Sequence, residues 1–276
     1  MQAVFMTSIS YRVREIGIIG VGRLGSVFAR ILHKKGYELI LIDKNKESLE
    51  LIKNELKERI KISDRIAEAA HLELVIVSVK PGYVEEVMRE LSSNKPPAVT
   101  QLIISCAAGI PIKKLETWSN EANIIRIMPN ICIEAEAAVI AYTKGTITNG
   151  SSQNKFFNVF WDLGKCIEVN EELIDPLTAA SGSGPAFIAY FADAMIKETV
   201  KEGVSLETAT AAVSQTLIGV GKMMQNNWSS EKIMQTVASP GGTTEAGLKM
   251  LDQGNVKITI SKAMNQATQK ARELGK

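Results

Sequence analysis

Three glycines spaced as G-x-G-x-x-G lie near the start of the chain, at positions 20, 22 and 25. An apolar run at residues 16–19 predicts a β-strand before them, and apolar residues at helical spacing follow them. In such a turn the first glycine permits a tight bend, the second lets a pyrophosphate approach the backbone, and the third lets the helix pack against the sheet. The helix N-terminus adds free N–H groups and partial positive charge. The pattern predicts a dinucleotide site at Gly20, Val21, Gly22, Arg23, Leu24 and Gly25.

A carboxylate stands where such a site reads the cofactor ribose. Asp43 follows the second predicted strand, residues 38–42, and this context favours a dinucleotide site over a plain glycine-rich turn. A carboxylate there accepts from the ribose 2′-OH of NAD and repels the 2′-phosphate of NADP. Lys44 and Lys46 beside it are able to bind that phosphate instead. We therefore expect NADH to be a competent donor and NADPH to be usable, and Asp43→Ser to shift the preference toward NADPH.

Two more segments follow predicted strands of the same sheet. One is Val79-Lys80-Pro81, and the other runs from Ser105 through Cys106, Ala107 and Ala108 to Gly109. Ligands of parallel α/β sheets bind beyond the carboxyl ends of the strands, and small residues there let a cofactor lie against the backbone. The alternative is that both segments are only strand-to-helix turns.

The C-terminal half contains two loops of small residues, 181–185 and 239–244. In the second, Gly-Gly-Thr-Thr precedes a predicted helix and offers backbone N–H groups and hydroxyls, which suit a small carboxylate. The alternative is that the hydroxyl of Thr243 or Thr244 caps the helix. Both roles are compatible, because one hydroxyl is able to cap while the other binds.

The order of predicted elements indicates two domains. Strands alternating with helices predict a doubly wound, Rossmann-type parallel sheet, and an all-helical domain follows it. The predicted strands are residues 16–19, 38–42, 74–79, 102–105 and 123–127, with a helix at 46–59. The predicted C-terminal helices are residues 185–203, 206–224, 228–237, 245–251 and 255–274. The domains are expected at 13–170 and 171–276, after an N-terminal extension, 1–12, that lacks the pattern of a signal peptide.

Apolar residues in the helical half predict both a core and a partner. Phe187, Phe191 and Met195 recur at i, i+4 and i+8 and are assigned to the core. Together with the apolar helix from Leu206, they exceed what one small bundle buries, which indicates a homo-oligomer. A chain that ends near Val169 is accordingly predicted to be monomeric.

Composition excludes several classes of protein. The 276 residues are 45% hydrophobic and 22% charged, as in an ordinary globular protein, and the net charge of +2 gives no reason to expect a nucleic-acid or membrane partner. Cys106, Cys132 and Cys166 are odd in number and lack metal spacing, so a reducing cytoplasm is expected. His33 and His71, both predicted to lie on the surface, have no ligand cluster beside them, which disfavours a metal site and a Ser-His-Asp triad.

At this point the sequence closely resembles the pyrroline-5-carboxylate reductases. The motifs occur in the family's order over nearly the whole chain from Ile16 onward. They are the glycine loop, Val79-Lys80-Pro81, Ser105-Cys106-Ala107-Ala108-Gly109, Arg126-Ile127-Met128-Pro129-Asn130, Ser181-Gly182-Ser183-Gly184-Pro185-Ala186 and Ser239-Pro240-Gly241-Gly242-Thr243-Thr244. The resemblance implies NAD(P)H-dependent reduction of Δ1-pyrroline-5-carboxylate to proline. It also implies intertwined dimers that assemble further, for example into a decamer.

The resemblance also assigns roles to individual residues. It implies that Val79, Lys80, Pro81, Cys106, Ala107 and Ala108 line the cofactor. The substrate carboxylate is implied to lie at Ser239, Gly242 and Thr243, with Thr244 near the imine nitrogen and Glu171 near the substrate. One segment departs from the family, because Ile131-Cys132 replaces its Thr-Pro and its later glycine is missing from residues 134–136. That loop is expected to differ locally from the family.

The chemistry agrees with the scarcity of histidine. Reduction of a ketone requires a proton donor for the developing alkoxide, usually Lys, His, Tyr or a metal-bound water. A cyclic imine is protonated before hydride arrives, so positioning and a carboxylate anchor suffice. The alternative enzymes on this fold are a reductase of another imine and a β-hydroxyacid dehydrogenase. The first lysine after Gly184 is the distant Lys197, which weighs against the dehydrogenase. The alternative from another class is a non-catalytic dinucleotide-binding regulator, which has no need of an intact Ser239–Thr244 loop.

Overall fold

The computed structural model describes residues 13–120 and 122–274. The predicted extension, residues 1–12, lies outside the described residues. The chain divides into two compact units. The first ends at Gly182 and also includes the residues from Thr268 onward, and the second comprises Ser183–Ala267. The domain boundary expected at 170/171 remains a prediction.

The first unit is built on a single sheet. Within the described residues the sheet has eight strands in the order β3-β2-β1-β4-β5-β6-β7-β8. The strands are β1 (Glu15–Ile19), β2 (Glu38–Ile42), β3 (Ile60–Ser63), β4 (Leu74–Val77), β5 (Leu102–Ser105), β6 (Asn123–Met128), β7 (Ala138–Lys144) and β8 (Gly164–Glu168). Each neighbouring pair is parallel except β6 and β7. The order reverses beside β1, which is the position where doubly wound sheets bind ligands. The predicted fold class is confirmed.

Helices cover both faces of this sheet. They are α1 (Arg23–Lys34), α2 (Lys46–Leu56), α3 (Val84–Asn94), α4 (Ile112–Ser119), α5 (Gly150–Phe160) and the short α6 (Ile174–Leu177). Phe28 of α1 and Phe160 of α5 meet edge to face on one side, with ring centroids 5.8 Å apart. Met88 of α3 and Leu115 of α4 pack on the other. Burial on both faces explains why the central strands are runs of Ile, Leu and Val rather than alternating sequences.

Three strands were absent from the sequence prediction, and two elements of the first unit end earlier than predicted. The helix expected to reach residue 59 ends at Leu56, because Lys57 takes a left-handed φ of 64° and the chain turns into the edge strand β3. The strand expected to reach residue 79 ends at Val77, so Ser78 and Val79 lie beyond the sheet. The two remaining missed strands, β7 and β8, close the far edge of the sheet as a parallel pair.

The second unit is helical. It contains α7 (Gly184–Lys201), α8 (Leu206–Gln225), α9 (Ser230–Val237), α10 (Thr243–Gln253) and most of α11 (Val256–Leu274), all near their predicted bounds. The assignment of the aromatic stripe to the core was wrong for the single chain. Phe187 is only half-buried, and Phe191 and Met195 are 42% and 50% exposed. No helix of the described residues combines the length and apolarity that crossing a bilayer requires.

The loop that departs from the family pattern has a left-handed residue at its end. Residues Ile131–Ala135 form a 3₁₀ helix, and Glu136 after it has a φ of 53°. Glycine adopts that conformation without steric cost, so a non-glycine residue here is strained. Lys34 and Lys35 of the α1 region hold the Glu136 carboxylate at 3.2 and 3.4 Å, and the hydrogen bond from Lys34 lowers its pKa.

Candidate active site

The glycine loop is packed tightly at two of its three glycines and open at the third. Gly20 has a φ of 92°, and a Cβ atom there would lie 2.8 Å from the backbone N of Val79. A Cβ atom at Gly25 would collide with the carbonyl oxygen of Gly20. At Gly22 a Cβ atom would meet nothing within 4 Å. The first and third glycines therefore build the turn, whereas the second leaves an open approach to the backbone.

Ser78 holds this turn and was missed by the sequence analysis. Its hydroxyl donates to the carbonyl oxygen of Gly20 at 2.6 Å, and its backbone N–H donates to that of Ile19 at 2.8 Å. These bonds tie the end of β4 to the turn after β1, the neighbouring strand. A small hydroxyl residue directly after an apolar strand was the only signal in the sequence.

The N-terminus of α1 begins immediately after the open glycine. Gly22 is its N-cap residue, no side chain caps it, and the first turn carries no acidic residue. Such a terminus presents backbone N–H groups and a partial positive charge to an anion. The arrangement fits the pyrophosphate of a dinucleotide, because the backbone donors are free and the space at Gly22 is open.

Asp43 performs a structural task in addition to its predicted one. Its Oδ2 accepts from the backbone N–H of Val21 at 2.6 Å, and its Oδ1 accepts from that of Asn45 at 2.8 Å. The carboxylate thus joins the end of β2 to the glycine loop. Each carboxylate oxygen retains a lone pair, so the predicted bond to a ribose hydroxyl is compatible with both contacts.

Lys44 lies between two groups of the segment after β4. Its Nζ is 2.9 Å from Oε1 of Glu86 and 5.8 Å from the centre of the Tyr83 ring. The hydrogen bond to Glu86 raises the pKa of Lys44. Both charged side chains are exposed, so this pair contributes little to stability and is easily exchanged for another anion.

The segments after β4 and β5 offer mainly backbone. Pro81–Tyr83 forms a 3₁₀ turn, in which Pro81 is half-buried, and Lys80 before it is exposed. The side chains of Cys106 and Ala107 are buried, whereas Ala108 is half-buried. Burial raises the pKa of the Cys106 thiol, which makes this group a poor nucleophile. Any contact of Cys106 and Ala107 with a cofactor is thus made through the backbone.

Glu171 is held by two donors at the edge of a cavity. Its Oε1 accepts from the backbone N–H of Ile112 at 2.7 Å and from Nη1 of Arg126 at 2.8 Å. The bonds join the 3₁₀ turn after β8 to the start of α4 and to β6. The adjoining cavity is wide open to solvent, has a volume of about 720 Å³ and is lined by Gly109, Pro111, Arg126, Glu171, Glu172, Asp175 and Arg272.

The Ser239–Thr244 loop is part of the second unit and leaves its hydroxyls free. The N-cap residue of α10 is Gly242, and no side chain caps the helix, so neither threonine has the alternative role of a cap. The Glu245 carboxylate instead accepts from the N–H of Gly241 at 2.7 Å. Within the part of the chain that the structure describes, the hydroxyls of Ser239, Thr243 and Thr244 make no hydrogen bond.

The predicted residues fall into two groups. The glycine loop, Asp43, Val79 and Cys106 come together at the carboxyl edge of the sheet in the first unit. The substrate loop belongs to the second unit. The roles of both groups remain predictions.

The described residues contain no group of three or more His, Cys, Asp and Glu side chains able to hold a metal ion. His71 is exposed as expected, but His33 is half-buried, with Nε2 2.9 Å from the carbonyl oxygen of Glu58. Burial raises the pKa of the half-buried Cys166 thiol to about 11.

Two family models match separate parts of the chain. Residues 15–109 match the model described as NADP oxidoreductase, coenzyme F420-dependent. Residues 171–274 match the pyrroline-5-carboxylate reductase dimerisation model. The first match contains the glycine loop and the Cys106 segment, and the second contains Glu171 and the Ser239–Thr244 loop.

Relatives of one kind match nearly the full length. A pyrroline-5-carboxylate reductase of Aquifex aeolicus is 32% identical over 94% of this chain and 97% of its own. Pyrroline-5-carboxylate reductase 3 of Xenopus laevis is 31% identical over 95% of this chain and 96% of its own. The solved pyrroline-5-carboxylate reductase of Streptococcus pyogenes is 30% identical, covers 94% of this chain and 98% of its own, and superposes with a TM-score of 0.82. A solved Plasmodium falciparum reductase with NADP bound, 26% identical over 95% of this chain and 98% of its own, has the same TM-score. The chain belongs to the pyrroline-5-carboxylate reductase family.

Proposed function

We propose that this protein reduces Δ1-pyrroline-5-carboxylate to L-proline by hydride transfer from NADPH or NADH, the last step of proline biosynthesis. The observation that carries the proposal is the full-length similarity to reductases of this name, which spans the open glycine loop and the Ser239–Thr244 loop alike. The reaction needs a dinucleotide cradle and a carboxylate anchor, and these two loops have the donors for both.

The two loops have separate roles in the proposed reaction. The N-terminus of α1 and the open backbone at Gly22 bind the pyrophosphate. The hydroxyl of Ser239 and the backbone N–H groups at the start of α10 hold the substrate carboxylate. The hydroxyl of Thr244 lies beside the imine nitrogen and orients the ring. A reduced nicotinamide, when bound, supplies the hydride that the imine carbon accepts.

No strong general acid is required of these residues. The imine nitrogen of the substrate is protonated in the reactive form, so the electrophile exists before hydride transfer. Positioning of the ring then accounts for much of the rate. The buried Cys106 thiol and the exposed His71 are consistent with a reaction that needs no general acid, because neither group is suited to proton transfer at the site.

Both alternatives have less support. A β-hydroxyacid dehydrogenase needs a lysine near the start of the first helix of the second domain, whereas Lys197 lies toward the end of α7, paired with Asp193 at 2.7 Å. A regulator has no need of the free hydroxyls of the Ser239–Thr244 loop.

The direct test follows the absorbance of reduced nicotinamide on addition of Δ1-pyrroline-5-carboxylate. We expect rapid oxidation of the cofactor with stoichiometric formation of proline. A β-hydroxyacid with NAD⁺ or NADP⁺ serves as the control reaction and should give no turnover. Cofactor binding without turnover of pyrroline-5-carboxylate would contradict the proposal and favour a regulator.

Cofactor preference is expected to depend on Asp43. Asp43→Ser removes the carboxylate that repels a 2′-phosphate, so the ratio of NADPH affinity to NADH affinity should rise about tenfold. The variant also loses the bond to the Val21 N–H, so both affinities should fall, and the ratio is the quantity to measure by fluorescence titration. Asp162→Ser, which removes an exposed carboxylate before β8, is the control for charge. An unchanged ratio for Asp43→Ser would mean that Asp43 does not read the ribose.

Oligomerisation is expected to depend on the exposed apolar face of α7. Phe191→Glu should convert the wild-type oligomer into monomer at micromolar concentration, because each interface would bury a charge in place of a ring. Leu51→Glu on α2 is the matched control, since Leu51 is 66% exposed in the first unit and should tolerate the change. Light scattering measures both. A monomeric wild type would refute the prediction. Truncation near Val169 is less clean, because it also removes the buried Ile174.

The proposal also covers the domain boundary, the cellular compartment and the size of the oligomer. We place the domain boundary at 170/171, the enzyme in the cytoplasm, and the dimer within a higher assembly such as a decamer. The dimerisation model that starts at residue 171 supports the boundary, and the odd number of cysteines, all free, supports the compartment.

A further inference from the structure

Arg126 is a buried cation at the wall of the cavity beside Glu171. It lies on β6, its side chain is 5% exposed, and its Nη1 donates to Oε1 of Glu171. Its Nε is buried and has no hydrogen-bond partner among the described residues. An unpaired buried N–H is unfavourable for folding. An apolar residue at this position would avoid that unfavourable contribution to the free energy of folding.

The two donors engage only one oxygen of the carboxylate. The Arg126 guanidinium and the Ile112 N–H both donate to Oε1 of Glu171, and Oε2 accepts no hydrogen bond from the described residues. Glu171 also lines the cavity. The pair of bonds fixes the rotamer of the side chain and leaves one oxygen for a ligand.

The cavity edge connects this carboxylate to a predicted cofactor segment. Gly109 and Pro111 line the same cavity, and they join the Cys106–Ala108 segment to the start of α4. Glu171 accepts a hydrogen bond from the backbone N–H of Ile112, which is the first residue of that helix. The ion pair therefore holds the carboxylate and the end of this segment in one fixed arrangement.

We propose that Arg126 is a positioning residue that orients Glu171 so that its free Oε2 faces the protonated ring nitrogen of the substrate. The proposal rests on the proposed function, because the protonated ring of that substrate is a cation that a carboxylate attracts. Arg126 does not itself touch the substrate. Its removal should release the Glu171 rotamer and weaken substrate binding, while the pyrophosphate cradle at Gly22 remains unaltered.

The test separates this role from a purely structural one. Arg126→Met in the full-length enzyme should raise the KM for pyrroline-5-carboxylate about tenfold, as expected when one charged hydrogen bond is misplaced, with kcat changed less than about threefold. The NADPH affinity should stay within about twofold of the wild type. Arg126→Lys keeps the charge and should recover most of the KM.

A double-substitution cycle covers the case in which the methionine variant does not fold. Glu171→Gln keeps the side-chain shape and should raise the KM as much as loss of Arg126 does. Arg126→Gln removes the charge but keeps a polar side chain, and should also raise the KM. The double variant Arg126→Gln, Glu171→Gln should show the same KM as Glu171→Gln alone, because the two residues act as one unit. Additive effects would overturn the proposal.

A matched control exists on the same unit. Lys155 is a similarly buried cation whose side chain is 9% exposed, and its Nζ lies 3.0 Å from Oε2 of Glu73. This ion pair is not part of the predicted site. Lys155→Met should lower the melting temperature as Arg126→Met does, without any change in the KM for pyrroline-5-carboxylate. Equal KM values for wild type and Arg126→Met would overturn the role of Arg126 alone. An inactive wild type would instead overturn the proposed function.

Discussion

Gly22→Val is expected to abolish dinucleotide binding while the fold survives. Gly22 has φ and ψ of −74° and −157°, an extended conformation that valine adopts readily, and a Cβ atom there meets nothing within 4 Å. The branched side chain would instead occupy the space that the pyrophosphate needs. We expect the affinity for NADPH to fall by at least about 100-fold in fluorescence titration, equivalent to losing two or three charge-assisted hydrogen bonds.

Two other glycines provide controls for this result. Gly25→Val should disrupt the loop itself and lower the melting temperature, because its Cβ atom collides with the carbonyl oxygen of Gly20. Gly150→Val places the same side chain at the start of another helix with open space around it, and should leave both affinity and stability near the wild-type values. If Gly22→Val bound NADPH normally, the pyrophosphate would have to lie elsewhere.

The second large effect is expected at Thr244. Thr244→Ala should lower kcat with pyrroline-5-carboxylate by up to about 100-fold, the usual cost of losing a hydrogen-bonding group placed where charge changes during the reaction. The loss is expected to be smaller if the hydroxyl chiefly orients the ring, because an iminium loses charge as hydride arrives. Stability should hardly change, since Gly242 is the N-cap residue of α10 and the Thr244 hydroxyl caps nothing.

Related substitutions sharpen the interpretation of that result. Thr244→Ser keeps the hydroxyl and should retain most of the activity. Ser239→Ala should mainly raise the KM, because a carboxylate anchor contributes about equally in the ground and transition states. Steady-state kinetics distinguishes these patterns. A Thr244→Ala enzyme with wild-type kcat/KM would move the catalytic role away from this residue.

Local patterns in the sequence were sufficient to predict the fold class and to nominate the candidate site residues. Alternating apolar strands and helices predicted the Rossmann-type sheet. The glycine spacing predicted the cradle, because the positive φ of Gly20 and the close contacts at Gly25 both require a residue without a Cβ atom. The helices of the second unit were predicted from the helical spacing of apolar residues, which is also a local property of the sequence. Each of these inferences uses residues that are near one another in the chain.

Only tertiary structure decided the contacts between distant residues. The bonds from Ser78 to Gly20, from Val21 to Asp43 and from Arg126 to Glu171 join residues that are 58, 22 and 45 positions apart. No periodicity encodes such pairs, because they depend on which strands become neighbours and where each strand ends.

Exposure was likewise beyond local patterns. The spacing of Phe191 and Met195 indicates an apolar face but does not state what covers it, and in the single chain that face is exposed. The edge strand β3 was not predicted, because its position depends on the turn that Lys57 makes after α2. Local sequence specifies conformation and apolar faces, whereas the choice of packing partners is a property of the whole fold and its assembly.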